Sequence, residues 1–229
     1  MSKTVAVIQA RLGSRRFPGK SLAVLHGRPM IQHVIERVQR IGVDEVVVAI
    51  PSKDIKLSNF VKSLNVSVVL GSERDVLGRL WMAASFHGAD VVMRVTGDCP
   101  LWMPEAGKQV LAGFRTNDRQ YWSNDTTQSG WPDGTDTEVF SRQILDRSYR
   151  ARSTATAYDL EHVTSWMRRT LGSEKCGMTV RTRDWLSGLK LSVDTPTDLA
   201  GVAWMLSRND CMTLDDLPTR QARSSTAGC

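Results

Sequence analysis

Residues 5–20, VAVIQARLGSRRFPGK, join an apolar segment to a basic loop. Residues 5–8 (VAVI) have the composition of a buried strand. Residues 11–20 (RLGSRRFPGK) contain three arginines, one lysine, two glycines, one proline and no acidic residue. Glycine lets backbone N–H groups approach phosphate oxygens, and Arg and Lys neutralise their charge. The stretch therefore predicts a polyphosphate-binding loop after the first strand, and the alternative is a solvated basic turn.

The first half of the chain alternates strand and helix patterns. Repeated strand–helix–strand units indicate an α/β fold with a parallel sheet and helices on both faces. Ligands of such sheets bind beyond the carboxyl ends of the strands, where both the basic loop and residues 96–100 (TGDCP) are expected. The patterns predict strands at residues 5–9, 45–50, 66–70 and 90–95, and helices at residues 28–40, 55–64 and 75–87.

The second half is less regular. No internal repeat or linker divides it, so we expect one domain over residues 1–217, with an irregular inserted subregion at about 120–185 and a disordered tail at 218–229. Any dimer contact is expected in the irregular subregion. The patterns predict strands at residues 120–124, 136–140, 178–182 and 189–193, and helices at residues 141–150, 159–170 and from 196 onward.

Composition narrows the class of protein. No apolar run approaches the roughly 20 residues of a membrane span, and the first strand begins too early for a signal peptide. The four cysteines are scattered, which is typical of reduced cytosolic thiols, so a cytoplasmic protein is expected. The net charge of +6 is concentrated in residues 11–20 and 142–152, without a stripe of interleaved aromatic residues. A small anionic substrate explains these charges better than nucleic acid or a membrane.

Two aspartates are candidate metal ligands. Asp98 and Asp194 each follow an apolar strand pattern, at the sheet edge predicted for the basic loop. Mg²⁺ prefers a few protein carboxylates together with phosphate oxygens and water. The pair therefore predicts a magnesium site. The alternatives are a turn-forming role for Asp98 and a helix N-cap role for Asp194.

Further polar residues have weaker signals. Residues 133–138 (DGTDTE) form an acidic stretch that suits either acceptor hydroxyls or a plain turn. Glu161 and His162 fall on a predicted helix, where a lone histidine is more often structural. Arg79 is expected on the exposed face of its helix, and Cys99 is expected to serve packing.

Six segments together resemble the SpsF-like cytidylyltransferases of spore-coat polysaccharide biosynthesis, which are related to acylneuraminate and 3-deoxy-manno-octulosonate cytidylyltransferases. They occur in the family's order and cover about residues 4–200. One departure is Trp102-Met103, which replaces a polar pair near the expected substrate entrance. The matching segments are residues 8–20, 71–79, 94–101, 132–140, 161–164 and 193–198.

The resemblance implies a Rossmann-like nucleotidyltransferase fold of the glycosyltransferase-A type, with CTP and Mg²⁺ as partners. It implies catalytic roles for Arg11, Lys20 and Asp98, and metal ligation by Asp98 and Asp194. The implied nucleotide-binding residues are Gln9, Ala10, Arg11, Gly13, Ser14, Arg16, Lys20, Ser72 and Arg79. The implied acceptor-binding residues are Asp133, Asp136, Glu138, Glu161 and His162.

The activity expected from this resemblance is transfer of CMP from CTP to an acidic sugar or related small anionic acceptor, with release of pyrophosphate, in surface-polysaccharide biosynthesis. The acceptor could instead be a phosphonate. Two different functions fit the same residues: a glycosyltransferase that uses a nucleotide sugar, and a non-catalytic nucleotide-binding regulator. The basic loop favours a triphosphate over a diphosphate sugar.

Overall fold

The computed structural model describes residues 2–180 and 189–208. Within these ranges the strands are β1 (Thr4–Gln9), β2 (Val24–Leu25), β3 (Arg28–Pro29), β4 (Glu45–Pro51), β5 (Ser67–Gly71), β6 (Val91–Thr96), β7 (Tyr121–Ser123), β8 (Thr137–Ser141) and β9 (Cys176–Met178). The α-helices are α1 (Met30–Gln39), α2 (Ile55–Ser63), α3 (Val76–Phe86), α4 (Pro104–Thr116), α5 (Arg142–Arg150), α6 (Ala157–His162), α7 (Ser165–Leu171) and α8 (Pro196–Leu206). None of these described helices combines the length and apolar character that a membrane crossing requires.

Seven of the described strands form one sheet in the order β5-β4-β1-β6-β8-β7-β9. Pairing is parallel from β5 through β4 and β1 to β6. Strand β8 is antiparallel to both neighbours, β6 and β7, and β9 is parallel to β7. The predicted α/β fold with a mostly parallel central sheet is therefore confirmed.

Helices cover both faces of the sheet, which explains why its central strands are continuously apolar. One face of β1, with Ala6 and Ile8, packs in a cluster that includes residues of α1, α2 and α4. The opposite face, with Val5 and Val7, packs in a cluster with residues of α3, α5 and α7. All four of these β1 side chains are fully buried.

A third apolar cluster fastens the end of the described chain to the sheet edge. Leu191 and Val193 pack there with Trp131, Met103 and residues of α8. Backbone bonds hold the same segment in register, because the N–H of Val193 donates to the carbonyl of Asp98 at 2.8 Å. The segment that carries Asp194 is thereby placed beside the end of β6.

Several element predictions need correction. Helix α4, the longest described helix, was missed: its two glycines and short apolar stretches weaken the helical pattern. The single helix predicted at residues 159–170 is two helices, because Val163 takes a left-handed backbone with φ 57°. Residues 189–193 contain one isolated bridge, between Lys190 and Asp133, instead of a strand. Helix α1 begins at Met30, since residues 28–29 pair with β2.

The predicted subregion at 120–185 contributes β7, β8 and β9 to the main sheet. The last of these strands lies at Cys176–Met178, earlier than the predicted 178–182, of which residues 181–182 fall outside the described ranges. The predicted domain end at residue 217 and the tail at 218–229 also fall outside them, so both stay predictions.

Substitution of Gly134 tests the packing of the 189–193 segment. A Cβ at Gly134, which has φ +96°, would lie 2.5 Å from the backbone nitrogen of Ser192, whereas a Cβ at Gly42, with φ +80°, would meet no atom within 4 Å. Both alanine variants carry left-handed strain, and only Gly134→Ala adds overpacking. We expect Gly134→Ala to lower the free energy of unfolding by about 1–3 kcal/mol more than Gly42→Ala, measured by urea denaturation. Equal losses would contradict this packing.

Candidate active site

The candidate site lies where β1 and β6 end side by side. Gln9 pairs with Thr96 at the last register position, and the N–H of Gly97 donates to the carbonyl of Gln9 at 2.8 Å. A Cβ at Gly97 would lie 2.9 Å from both that carbonyl oxygen and the Cβ of Ala10. Glycine at this position therefore lets the loops after the two strands approach closely.

The basic loop is closed by its own backbone. Gly19 has φ +77°, and its N–H donates to the carbonyl of Leu12 at 2.9 Å. The Leu12 N–H donates to a carboxylate oxygen of Asp54 at 2.8 Å, and the Ser21 hydroxyl donates to the carbonyl of Arg11 at 2.9 Å. These bonds fix the turn that presents Lys20.

Lys20 brings the two candidate metal ligands together. Its side chain is only 9% exposed, and its Nζ lies 2.9 Å from Oδ2 of Asp98 and 3.3 Å from Oδ1 of Asp194. The same Nζ donates to the carbonyl of Val193 at 2.6 Å. Three segments far apart in sequence thus meet around one ammonium group, with the juxtaposition that the sequence predicted.

Asp194 carries the densest set of ionic contacts. Besides Lys20, Arg16 lies 3.0 Å and Lys190 3.1 Å from its Oδ2 atom. Burial raises the pKa of Asp194, but the Lys190 hydrogen bond and the Lys20 charge outweigh it, so the pKa lies below its usual value. The N-cap of α8 is Thr195, which leaves the Asp194 carboxylate available to the site.

A cleft of about 720 Å³, here called the basic cleft, opens beside the basic loop. Of the predicted nucleotide-binding residues, all except Ser72 line it, together with Asp98 and Asp194. The cations on its wall outnumber the carboxylates, which suits a polyanion. The cations are Arg11, Arg15, Arg16, Lys20, Arg74 and Arg79, and the carboxylates are Glu73, Asp98, Glu161 and Asp194.

Arg79 is buried, with 2% of its surface exposed, so the expectation of an exposed position was wrong. Its guanidinium donates to the backbone carbonyls of Ser72 and Glu73. Burial, assisted by the nearby Arg11 charge, lowers the pKa of Arg79 to about 10. Arg79 therefore holds the β5–α3 loop in shape, and the Ser72 hydroxyl accepts a bond from the Asp75 N–H at 3.3 Å instead of lining the cleft.

A second cavity, of about 380 Å³, lies on the other side of Asp98 and Asp194. The two cavities share the side chains of Thr96, Asp98 and Asp194 as a common wall. The predicted acceptor residues in the second cavity are Asp133, Asp136 and Glu138.

Glu138 is the centre of a buried hydrogen-bond network. Its carboxylate pairs with Arg94 and accepts bonds of 2.6 Å from the hydroxyls of both Tyr121 and Thr164. Arg94 also donates to the side-chain carbonyl of Gln9 at 2.9 Å. Burial raises the pKa of Glu138, but the Arg94 charge and these hydrogen bonds bring it below its usual value. The network links Glu138, which lines the second cavity, to Gln9, which lines the basic cleft.

Asp136 and Asp133 have no ion-pair partner among residues 2–180 and 189–208. Asp136 accepts bonds from the Thr126 hydroxyl at 2.9 Å and from the Gly134 N–H at 3.2 Å, and Asp133 accepts one from the Ser192 hydroxyl at 3.0 Å. Burial, with smaller contributions from the Asp133 and Glu138 charges, raises the pKa of Asp136. Their carboxylates suit hydroxyl donors.

Glu161 and His162 do not line the second cavity, where the other three predicted acceptor residues lie. Glu161 lines the basic cleft and pairs with Arg11 at 3.3 Å. The His162 ring packs against Tyr158, with centroids 4.1 Å apart. The reason is local, since α6 has six residues, starts at a Thr156–Asp159 capping box and ends at the left-handed Val163. A prediction of one long helix could not give this orientation.

The sequence did not point to several of the residues that line the two cavities. Glu73, Arg94 and Thr96 lie in matched segments and could have been found from their strand-end positions, whereas Arg168 gave no signal beyond its charge. Trp102 and Met103, expected near the substrate entrance, are fully buried. The other residues of the second cavity that were missed are Cys99, Tyr121, Ser123, Asn124, Asp125, Thr137 and Ser192.

The aspartate pair fits a divalent metal that shares its coordination with a ligand. Asp98 and Asp194 direct carboxylate oxygens at the same point, where the Lys20 ammonium shows that a cation is accommodated. In the described ranges no group of three or more His, Cys, Asp or Glu side chains forms an all-protein metal site. Two carboxylates are the small protein share that Mg²⁺ takes when phosphate oxygens supply other ligands.

Several known proteins are similar to this chain over much or part of its length. A protein of Methanocaldococcus jannaschii, MJ1063, is 30% identical over 86% of this chain and 80% of its own length. The 3-deoxy-manno-octulosonate cytidylyltransferase of Alteromonas mediterranea is 39% identical, over 50% of this chain and 46% of that enzyme. The solved structure of a cytidylyltransferase from Leptospira borgpetersenii superposes with a TM-score of 0.85 at 25% identity, covering 99% of this chain and 94% of that one.

The match to the narrower SpsF-like group stays a prediction. The broader family is shown, because the family model described as cytidylyltransferase matches residues 5–199. The chain belongs to the cytidylyltransferase family and is a CTP-dependent nucleotidyltransferase.

Proposed function

We propose that this chain transfers CMP from CTP to an oxygen of a small anionic acceptor, such as an acidic sugar, and releases pyrophosphate. The observation that carries the proposal is the common wall of the two cavities, which contains Asp98 and Asp194. A triphosphate in the basic cleft and an acceptor in the second cavity would meet there. We further propose that Mg²⁺ is the metal, that the chain belongs to the SpsF-like group and that its product enters surface-polysaccharide synthesis.

The basic cleft supports binding of the triphosphate. Arg11, Ser14, Arg16 and Lys20 line it on a loop whose backbone is closed and therefore preorganised. Once these side chains have paired with the phosphates, donors held by such a loop stabilise charge that develops during transfer without a further reorganisation cost at the moment of reaction. We propose that these side chains hold the phosphates and stabilise the leaving pyrophosphate.

The reaction in this proposal is in-line attack of an acceptor oxygen on the α-phosphorus of CTP. The new bond joins that oxygen to phosphorus, the bond to the bridging oxygen of the β-phosphate breaks, and pyrophosphate leaves with the bond's electron pair. Such transfer depends mainly on positioning and charge neutralisation. Mg²⁺ held by Asp98 and Asp194 supplies charge neutralisation when bound.

The second cavity supports an acceptor that has both hydroxyls and an anionic group. Asp133 and Asp136 suit the hydroxyls, as described above. Arg168 also lines the cavity; its side chain is 47% exposed and lies 3.1 Å from Asp125, so a bound carboxylate or phosphate can replace this partner. We propose that Arg168 binds the acceptor's anionic group.

The first test is the identity of both substrates. Pyrophosphate release is measured for each of the four ribonucleoside triphosphates with sugar acids, sugar phosphates and phosphonates. We expect release with CTP and one acceptor class only. Release of a nucleoside diphosphate from a nucleotide sugar, without pyrophosphate release from CTP, would exclude the proposed reaction.

Asp98→Asn tests the common wall. The substitution removes one charge and keeps the shape, so the fold should persist while kcat for CTP-dependent pyrophosphate release falls by about 100-fold to 1,000-fold. Asp118→Asn is the matched control, because its carboxylate is fully exposed and lines neither cavity. A wild-type kcat in Asp98→Asn would show that the Asp98 carboxylate has no catalytic role.

Arg168→Gln tests the acceptor role. Losing a charged hydrogen bond to the acceptor should raise the acceptor KM by about tenfold or more and leave the CTP dissociation constant within about twofold of wild type. Steady-state kinetics and calorimetry measure the two values. The exposed Arg150, which lines neither cavity, gives the control Arg150→Gln. A selective loss of CTP affinity in Arg168→Gln would mean that this side chain binds CTP and not the acceptor, which would contradict the proposal.

A further inference from the structure

Lys20 has no donor left for a phosphate. An ammonium group has three N–H donors. In this structure Asp98, Asp194 and the Val193 carbonyl lie 2.9, 3.3 and 2.6 Å from its nitrogen. The side chain is 9% exposed, so water has little access to it. To contact a triphosphate, Lys20 must release at least one of these oxygens.

The same pattern extends to two of the three arginines of the basic loop. Arg16 pairs with Asp194 at 3.0 Å and Arg11 pairs with Glu161 at 3.3 Å. Lys20, Arg11 and Arg16 all line the basic cleft, and each is paired with a carboxylate on another segment. Binding of a triphosphate through these three side chains therefore exchanges their ion-pair partners.

We propose that the Lys20 ammonium acts as an internal substitute for the divalent metal, and that metal and CTP bind cooperatively because only their joint arrival gives every charge a partner. This inference rests on the proposed roles of Asp98 and Asp194. Metal alone must displace Lys20 from both carboxylates and leave its ammonium without an anion. CTP alone draws Lys20 away and leaves Asp98, which has no other ion-pair partner among the described residues, close to the Asp194 carboxylate. Each half-step leaves an unpaired charge, which is costly where water is scarce.

The decisive experiment measures Mn²⁺ binding to the nucleotide-free protein, with free Mn²⁺ quantified by electron paramagnetic resonance. Lys20→Met removes the ammonium and keeps most of the side-chain volume. We expect it to bind Mn²⁺ at least about tenfold more tightly than wild type, while CTP binding weakens. Because coupling is reciprocal, CTP should increase Mn²⁺ affinity in wild type by about 5-fold to 150-fold and far less in Lys20→Met.

Lys190→Gln is the matched control. Lys190 also contacts Asp194, at 3.1 Å, but its other partner is Asp198 and its side chain is 39% exposed. This variant removes a cation from Asp194 and leaves Lys20 between the two aspartates. We expect its nucleotide-free Mn²⁺ affinity to stay within about threefold of wild type. An equal gain in both variants would mean that reduced positive charge alone attracts the metal, and this result would overturn the proposal.

Circular dichroism first checks that Lys20→Met is folded; if it is not, Lys20→Gln replaces it. A third measurement uses the wild-type protein, in which the lysine ammonium resonances are followed by NMR. The Lys20 resonance should shift with Mg²⁺ and CTP together and stay unchanged with Mg²⁺ alone at the same concentration. Unchanged Mn²⁺ affinity in the Lys20 variant, or a full shift with Mg²⁺ alone, would refute the inference. Failure of wild type to bind CTP with Mg²⁺ would instead refute the proposed function.

Discussion

The contact on which the site depends is the one between the Lys20 ammonium and the Asp98 and Asp194 carboxylates. It joins the loop after β1, the loop after β6 and the segment before α8. A nearly buried lysine is tolerated because two carboxylates and a carbonyl replace its water. Without this contact the two aspartates would repel each other, and only Arg16 and Lys190 would still pair with Asp194 among the described residues.

The sequence was sufficient to predict the half of the fold that follows regular rules. Continuous apolar runs predicted the bounds of β1, β4, β5 and β6 within one or two residues. The alternation of these strands with helices indicated a parallel sheet, which places the loops after the strands at one edge. That edge rule is why Asp98 and Lys20 were expected together. Helix α4 was not predicted, because its helical pattern is interrupted by Gly107 and Gly113, each of which packs closely on a tryptophan.

The second cavity was harder to predict, for physical reasons. Its wall combines residues from β6, β7, β8, α7 and the segment before α8, and no local period encodes such long-range contacts. Arg168 is one arginine among many until α7 is placed. The direction of Glu161 and His162 depends on Val163, whose left-handed backbone is uncommon for a β-branched residue and could not be inferred from composition.

The reversed direction of β8 has a consequence for how such a protein can diversify. Because β8 runs against β6, its beginning lies at the edge where the parallel strands end. Residues 133–136 precede β8 and therefore reach that edge from a part of the chain that does not line the basic cleft. Changes in the length or composition of this connection would reshape the second cavity. They would also reach the segment that carries Asp194, because the Leu191 N–H donates to the carbonyl of Asp133 at 2.7 Å and a Cβ at Gly134 would lie 2.5 Å from the Ser192 nitrogen, so the two cavities cannot evolve independently at this connection.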